Sequence, residues 1–431
     1  MKTVFMSFST DIIHGGHIAI IQKAAALGQL TVGILTDEAV ATYKRFPLLP
    51  LTDRMNIFRN ISGISAVVQQ HDIAGVENIR QLQPDYVVHG DDWQSDFRSS
   101  ARADVIAVLS GYGGELVEYA YSDSPVYTKL EKQAYSQLSI PDIRRGRLKK
   151  LLALKPLVNA IEAHSGLTGL IAENTKVSHD GKVSQFDAMW LSSLCDSTMK
   201  GKPDIEVVDF SSRLRTIEDI LEVTTKPLIF DADTGGLPEH FAFLMRTLER
   251  VGVSAAIVED KVGLKRNSLF GTGVEQKQDS IENFCAKIQT GKSALKTRGT
   301  MIIARIESLI LETGMDDALR RANAYVEAGA DGIMIHSRKK TPDEIFEFCG
   351  RFRESCPTVP LATVPTAYSS VRESELAKNG VNIVIYANHL IRSAFPAMKS
   401  VAESILTNGR AYEADNLCLP ISEIITLIPE Q

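Results

Sequence analysis

The sequence predicts two α/β domains in tandem: a Rossmann-like parallel-sheet domain over residues 1–135 and a (β/α)8 barrel over 150–431, joined by a linker at 136–149. Three observations predict this. Apolar strand-like runs alternate with helix-spaced runs, the pattern of parallel strands joined by crossover helices. The alternation breaks once, at Pro141 and the basic run Arg144-Arg145-Gly-Arg147-Leu-Lys149-Lys150. After the break come eight strand-like runs, the number that closes a (β/α)8 barrel.

In order, 3–8 reads as a strand, 17–27 as a helix and 30–35 as a strand. A helix-like run at 54–61 is followed by 66–69, 76–83 and the strand 86–88. The turn Gly111-Tyr-Gly-Gly114 introduces a last strand at 115–120. The basic run reads as a solvated helix face. In the second domain, strands are expected at 169–172, 188–191, 227–230, 255–258, 301–306, 332–335, 361–364 and 383–386. Polar residues fall at their C-terminal ends, where barrels carry their chemistry.

A chain of 431 residues, 44% hydrophobic and 23% charged, has material for two cores. A net charge of −6 leaves no footprint for nucleic acid. Five scattered cysteines without a CxxC pair argue for free thiols and against a zinc or disulfide framework. No apolar run approaches a membrane span, and Met1 leads straight into a strand, so a cytoplasmic protein is expected.

Near the N-terminus, Phe8-Ser9-Thr-Asp11-Ile-Ile-His14-Gly15-Gly16-His17 reads as strand, turn and helix start. Two imidazoles three residues apart can face a polyphosphate there, helped by backbone N–H groups and the helix dipole. Gly16 lets the backbone come close. A purely structural turn is the plain alternative. Lys44, Arg54 and His89-Gly90-Asp91-Asp92-Trp93 at a strand end favour a ligand.

This set resembles the cytidylyltransferase family, over roughly residues 1–135. The resemblance implies nucleotidyl transfer from CTP, with His14, His17 and Lys44 stabilising developing charge. It implies a nucleotide held by Phe8, Ser9, Gly16, Arg54, Gly90, Asp91, Asp92 and Thr128. The family's phosphate-binding Arg-Thr-x-Gly-Ile-Ser-Thr-Thr stretch is missing. In its place stands Tyr121-Ser-Asp-Ser124-Pro-Val-Tyr127-Thr128-Lys129-Leu130, where only Thr128 and Lys129 look equivalent. A different acceptor is the favoured reason; a degenerate domain is the alternative.

In the barrel, Asp231-Ala-Asp233-Thr-Gly235-Gly236 closes one strand and Glu259-Asp260-Lys261 the next. Three converging carboxylates, Asp231, Asp233 and Glu259, suit Mg²⁺. Lys265, Asn267 and Ser268 lie on the loop that follows, placed to close over an anion and exclude water. Arg305 offers a fork for carboxylate or phosphoryl oxygens. His336 is a phosphoryl contact or a buried structural histidine.

These residues resemble phosphoenolpyruvate mutases of the isocitrate lyase/PEP mutase superfamily, over roughly 150–401. The match includes Glu162-Ala-His164-Ser-Gly166, EDK-(five residues)-NS from Glu259 to Ser268, Ala304-Arg305-Ile-Glu307 and His336-Ser337. It implies catalysis by Asp204, Lys265, Asn267 and Arg305, and substrate contacts from Ser192, Ser193, Leu194, Ser268 and His336. Ser193 replaces the family's glycine. The implied reaction interconverts phosphoenolpyruvate and phosphonopyruvate, and the implied assembly is a homo-oligomer. The joined arrangement resembles the bifunctional mutase/cytidylyltransferases of fosfomycin biosynthesis, which act on 2-hydroxyethylphosphonate. The rivals are a phosphonopyruvate hydrolase barrel and a non-catalytic N-terminal nucleotide-binding module.

Overall fold

The computed structural model describes residues 1–42, 47–94, 98–120, 125–179 and 182–428. The chain opens with β1 (Thr3–Phe8), β2 (Gln29–Leu35), β3 (Ile64–Gln70), β4 (Tyr86–Gly90) and β5 (Glu115–Tyr119). They form a parallel sheet in the order β3-β2-β1-β4-β5. Alternate residues feed opposite layers. Val4, Met6 and Phe8 pack against Ile21 and Ala24, while Phe5 packs with Val105 and Leu109. Strand order reverses between β1 and β4, which opens a crevice beyond their C-terminal ends.

The second part contains β6 (Val158–Glu162), the hairpin β7 (Lys176–His179) and β8 (Lys182–Gln185), β9 (Ala188–Leu191), β10 (Leu228–Asp231) and β11 (Ala255–Glu259). The hairpin β12 (Lys261–Val262) and β13 (Lys277–Gln278) follows, then β14 (Met301–Ile306), β15 (Gly332–Ile335), β16 (Leu361–Thr363) and β17 (Ile383–Tyr386). Eight of them close a barrel, β10-β11-β14-β15-β16-β17-β6-β9, with every pairing parallel. Residues such as Ile229, Ile257, Ile303 and Met334 fill its interior. Two positions further along the same faces come Asp231, Glu259, Arg305 and His336. The two-residue strand period therefore turns these polar groups into the barrel mouth.

Two expectations are corrected. The first barrel strand is β6, and 169–172 lies in the helix Gly166–Asn174. That helix is fixed at its start by reciprocal bonds, Thr168 N–H to Ser165 Oγ at 3.2 Å and Ser165 N–H to Thr168 Oγ1 at 3.0 Å. A short apolar run reads alike in either state. The basic run is also not a solvated face. Arg144 is 1% exposed and donates to the Leu221 and Thr224 carbonyls, and Arg147 donates to the Thr225 carbonyl. These guanidinium groups satisfy carbonyls at the end of the helix Phe210–Glu222 and just beyond it.

The β7–β8 hairpin meets the first domain, with Val183 against Leu35, Ala39 and Val40, and Gln185 Nε2 donating to the Ala41 carbonyl at 3.1 Å. The helix His389–Asn408 stands off the barrel with Phe395, Met398 and Leu406 exposed. No helix among the described residues is long and apolar enough to cross a membrane.

Candidate active sites

At the barrel mouth, Asp231, Asp233 and Glu259 come together through backbone geometry. Asp233 takes a left-handed conformation (φ 53°) just past β10; its N–H reaches Asp231 Oδ1 at 3.2 Å and its carbonyl accepts the Glu259 N–H at 2.9 Å. Gly235 follows at φ 72°, where a Cβ would stand 2.8 Å from the Phe241 ring. Ser193 donates to Asp231 Oδ2 twice, from its N–H at 3.1 Å and its hydroxyl at 2.9 Å.

The loop between β12 and β13 closes this group from above. Lys265 Nζ donates to Asp204 Oδ1 at 2.8 Å and also contacts Asp233 and Ser193 Oγ. Asn267 Nδ2 donates to the other Asp204 oxygen at 2.9 Å. Arg305 Nε donates to Glu307 Oε1 at 2.6 Å, and its second nitrogen bonds Ser268 Oγ. Ser192, Ser193, Leu194, Asp204, Asp231, Glu259, Lys265, Asn267, Ser268, Arg305 and His336 line one cavity of about 60 Å³. Asp233 sits at its edge, tied to Lys265 and to Arg213 at 2.9 Å.

The electrostatics are strong because the group is buried. Burial, opposed by Arg305 and Lys261, pushes Glu259 up to about 7. Asp231 is held down to about 2 despite burial, because Lys265, Arg305 and Arg213 surround it. Burial, with Arg305 next, lowers His336 to about 3, so its ring is neutral near pH 7.

Three contributors were not expected. Lys261 anchors the closing loop through the Arg266 carbonyl (2.9 Å), Ser268 Oγ (3.1 Å) and Gln276 Oε1 (3.0 Å). Glu307 holds both Arg305 and Ser268. Arg213 sits over Phe230, its guanidinium carbon 4.2 Å from the ring centre, and steadies Asp233. Lys261 and Glu307 stood inside motifs already noted, whereas nothing local marks Arg213.

In the first domain, His14 caps the helix Gly15–Leu27: its Nδ1 accepts the Gly16 N–H at 3.1 Å, and His17 Nδ1 accepts the His14 N–H at 3.4 Å. Burial lowers the His14 pKa. Phe8, Ser9, His14, Gly16, His17, Gly90 and Asp92 line a cavity of about 190 Å³ at the β1/β4 crevice. Lys23, His89, Trp93, Arg98 and Tyr119 join them. His89 stacks on Trp93 at 3.7 Å, and Arg98 holds Asp92 at 2.7 Å.

Other expected nucleotide residues fall elsewhere. Arg54 is buried and does not line the crevice; it is bonded to Asp37 and, at 3.2 Å, to the Leu49 carbonyl. Asp91 is exposed and is not among the residues that line the cavity. Thr128 lies on the helix Pro125–Ser136 beside Lys129 and Lys132, on a separate open depression. Helix-face direction decides these placements, and spacing alone does not report it. Lys44 and 121–124 lie outside the described residues.

The rim of this cavity predicts an acid sensitivity. Arg102 grips Glu118 at 2.9 and 2.7 Å, and this bond first, with Trp93 Nε1 helping, draws the Glu118 carboxyl down from 4.5 to about 2. A depressed carboxyl stabilises the fold fully above its unfolded pKa and loses that contribution as pH falls toward its folded pKa. Wild-type stability should therefore fall between about pH 4.5 and about 2, more steeply than that of Arg102→Ala. Urea midpoints against pH for both proteins check this; parallel curves would refute it.

Comparison with known proteins gives two family matches. The sequence profile described as "Phosphoenolpyruvate phosphomutase" matches residues 148–406, and the one described as "Cytidylyltransferase-like" matches 9–146. A phosphonopyruvate hydrolase from Variovorax sp. (strain Pal2) is 38% identical over 271 residues, 62% of this chain and 92% of that protein. A phosphoenolpyruvate phosphomutase from Streptomyces hygroscopicus is 34% identical over 287 residues, 65% of this chain and 86% of that protein. A crystal structure of phosphonopyruvate hydrolase with oxalate and Mg²⁺ aligns at a TM-score of 0.58 and 35% identity, covering 66% of this chain and 94% of that one.

Proposed function

The chain belongs to the phosphoenolpyruvate phosphomutase family and carries a cytidylyltransferase-like domain before the barrel, and on that premise we propose that it is a two-site enzyme of phosphonate biosynthesis. The barrel interconverts phosphoenolpyruvate and 3-phosphonopyruvate. The N-terminal domain transfers CMP from CTP to a small phosphonate, 2-hydroxyethylphosphonate in the first instance, releasing pyrophosphate.

The observation that carries the barrel reading is the Asp204–Lys265–Asn267 cluster under a closed loop. A phosphoryl group leaving oxygen must reach carbon before it meets water. A cavity of about 60 Å³ has room for very little solvent. Substrate entry then requires the 263–276 loop to move. In the forward step the P–O bond of phosphoenolpyruvate breaks and a P–C bond forms, with no net proton change.

Asp231, Asp233 and Glu259 fit Mg²⁺. They are hard oxygen donors, and the Lys265 ammonium already contacts one of them, so the group selects positive charge. Mg²⁺ held there would stabilise enolate oxygens. The N–H groups near Ser192 and the Arg305 fork orient the pyruvyl carboxylate. Asp204 and Asn267 face the migrating phosphoryl group, and Lys265 balances its charge. Neutral His336 contributes a hydrogen bond without charge.

Identity to the Variovorax hydrolase supports a second reading, in which water takes the phosphoryl group. One experiment separates them: phosphonopyruvate and Mg²⁺ followed by ³¹P NMR. Phosphoenolpyruvate as product supports the mutase; inorganic phosphate with pyruvate overturns it. Adding CTP with 2-hydroxyethylphosphonate, then 2-aminoethylphosphonate, tests the first domain by the appearance of a coupled phosphonate–phosphate pair.

Exposed Phe395, Met398 and Leu406 on the helix His389–Asn408 support association of copies, and five unpaired cysteines support a cytoplasmic setting.

A further inference from the structure

The barrel holds a second constellation that the proposed reaction does not use. Glu162 ends β6, His164 follows it, and Cys195 lies in the helix Ser193–Met199. One ligand atom from each, with all three residues buried, lies within 4.8 Å of the other two. The imidazole Nδ1 of His164 faces Glu162 Oε1 at 3.3 Å, yet Nδ1 makes no hydrogen bond, and Glu162 Oε2 has no partner either. Glu162 Oε1 accepts the Ile391 N–H at 2.7 Å, and the Cys195 thiol donates to the Ala387 carbonyl at 3.3 Å.

Buried polar atoms are almost always paired, so two unpaired atoms in one cluster need an account. His164 Nδ1 and the Glu162 carboxylate converge at 3.3 Å through Oε1 without a hydrogen bond between them, and the other oxygen of that carboxylate is unbonded, so imidazole and carboxylate are placed to share an ion. In a tetrahedron with bonds of about 2.0 Å, neighbouring ligands stand about 3.3 Å apart. Charge points the same way. A thiolate, a carboxylate and a neutral imidazole together balance one divalent cation, leaving a buried site with no net charge. Sulfur and imidazole select a borderline-soft ion over Mg²⁺.

We propose that Glu162, His164 and Cys195 form a binding site for a zinc-class divalent cation, separate in chemistry from the oxygen-donor group at Asp231, Asp233 and Glu259. Binding forms a metal–sulfur bond and releases the Cys195 thiol proton to solvent. The fourth position takes water or another oxygen donor. The ion ties β6 to the helix that begins at Ser193, and through Glu162 steadies the start of the helix His389–Asn408. Sequence spacing hides the site because the ligands come from two distant segments, with no paired cysteines.

The test is titration of chelator-treated full-length protein with Co²⁺ under saturating Mg²⁺, which keeps the oxygen-donor group filled. One equivalent per chain should bring a thiolate-to-cobalt charge-transfer band and tetrahedral ligand-field bands. Zn²⁺ should then abolish them by displacement. Cys195→Ser should remove the charge-transfer band, Glu162→Gln should weaken binding at least about tenfold, and Cys418→Ser should leave the band unchanged. Absence of the band in wild type, or a band that survives Cys195→Ser, overturns the proposal. Should a variant fail to fold, X-ray absorption of zinc-loaded wild type decides: one sulfur at about 2.3 Å supports the site, and an all-oxygen/nitrogen shell refutes it.

Discussion

Asp204→Asn is expected to lower turnover of phosphonopyruvate to phosphoenolpyruvate by about 10³-fold, with the loss in kcat rather than in KM. Both oxygens of Asp204 are engaged, one by Lys265 at 2.8 Å and the other by Asn267 at 2.9 Å, so the carboxylate is held at one orientation under the loop. An asparagine fills the same space but removes the charge. Lys265 then keeps Asp233 as a partner and loses the group that aims it at the phosphoryl position. Because Asp204 is not among the three proposed Mg²⁺ ligands, binding of oxalate with Mg²⁺ should persist within a few-fold. Calorimetry with oxalate and ³¹P NMR turnover on the same preparation read the two effects apart. Turnover above a tenth of wild type would remove Asp204 from the reacting group. A parallel loss of oxalate binding would make it a structural residue of the mouth.

His17→Gln should lower CMP transfer to 2-hydroxyethylphosphonate by about 10²–10³-fold and leave mutase turnover unchanged. Glutamine is the informative replacement. The His17 ring accepts the His14 N–H at the helix start, and a glutamine amide can still make that contact. What disappears is the imidazole, which with His14 lines the crevice beyond β1 and β4. The two activities should separate because the domains have distinct cores, and the closing loop of the barrel takes its anchors from barrel residues. Pyrophosphate release and phosphoenolpyruvate formation, measured on one sample, provide the comparison. Equal loss of both would show that the substitution damages the whole chain, and no loss of transfer would remove His17 from the chemistry.

Much of the barrel site was legible in sequence. A strand fixes side-chain direction by a period of two, and several of the short apolar runs ended on or led into a polar residue. Asp231, Glu259, Arg305 and His336 could therefore be placed at one mouth before any contact was known. The histidine pair was legible for the same local reason, since three residues at a helix start bring two side chains together. What failed were readings that needed a partner. The run 169–172 is as apolar as a strand, and only the Ser165–Thr168 cap makes it a helix. Arg144 and Arg147 look solvated until the carbonyls at and just beyond the end of a helix, 77 and 78 residues away, are found beneath them. Arg54 is buried against Asp37 and is not among the residues that line the crevice.

The sequence by itself determined the two-domain α/β plan, the strand-end carboxylates and the histidine turn, because each is written within one element and its period. Only the tertiary structure decided that Arg213 steadies Asp233, that Lys261 anchors the loop, and that Glu162, His164 and Cys195 converge. Those contacts depend on barrel closure and on the direction in which each helix returns. Both are set by packing of the whole chain, so no neighbouring residues carry them.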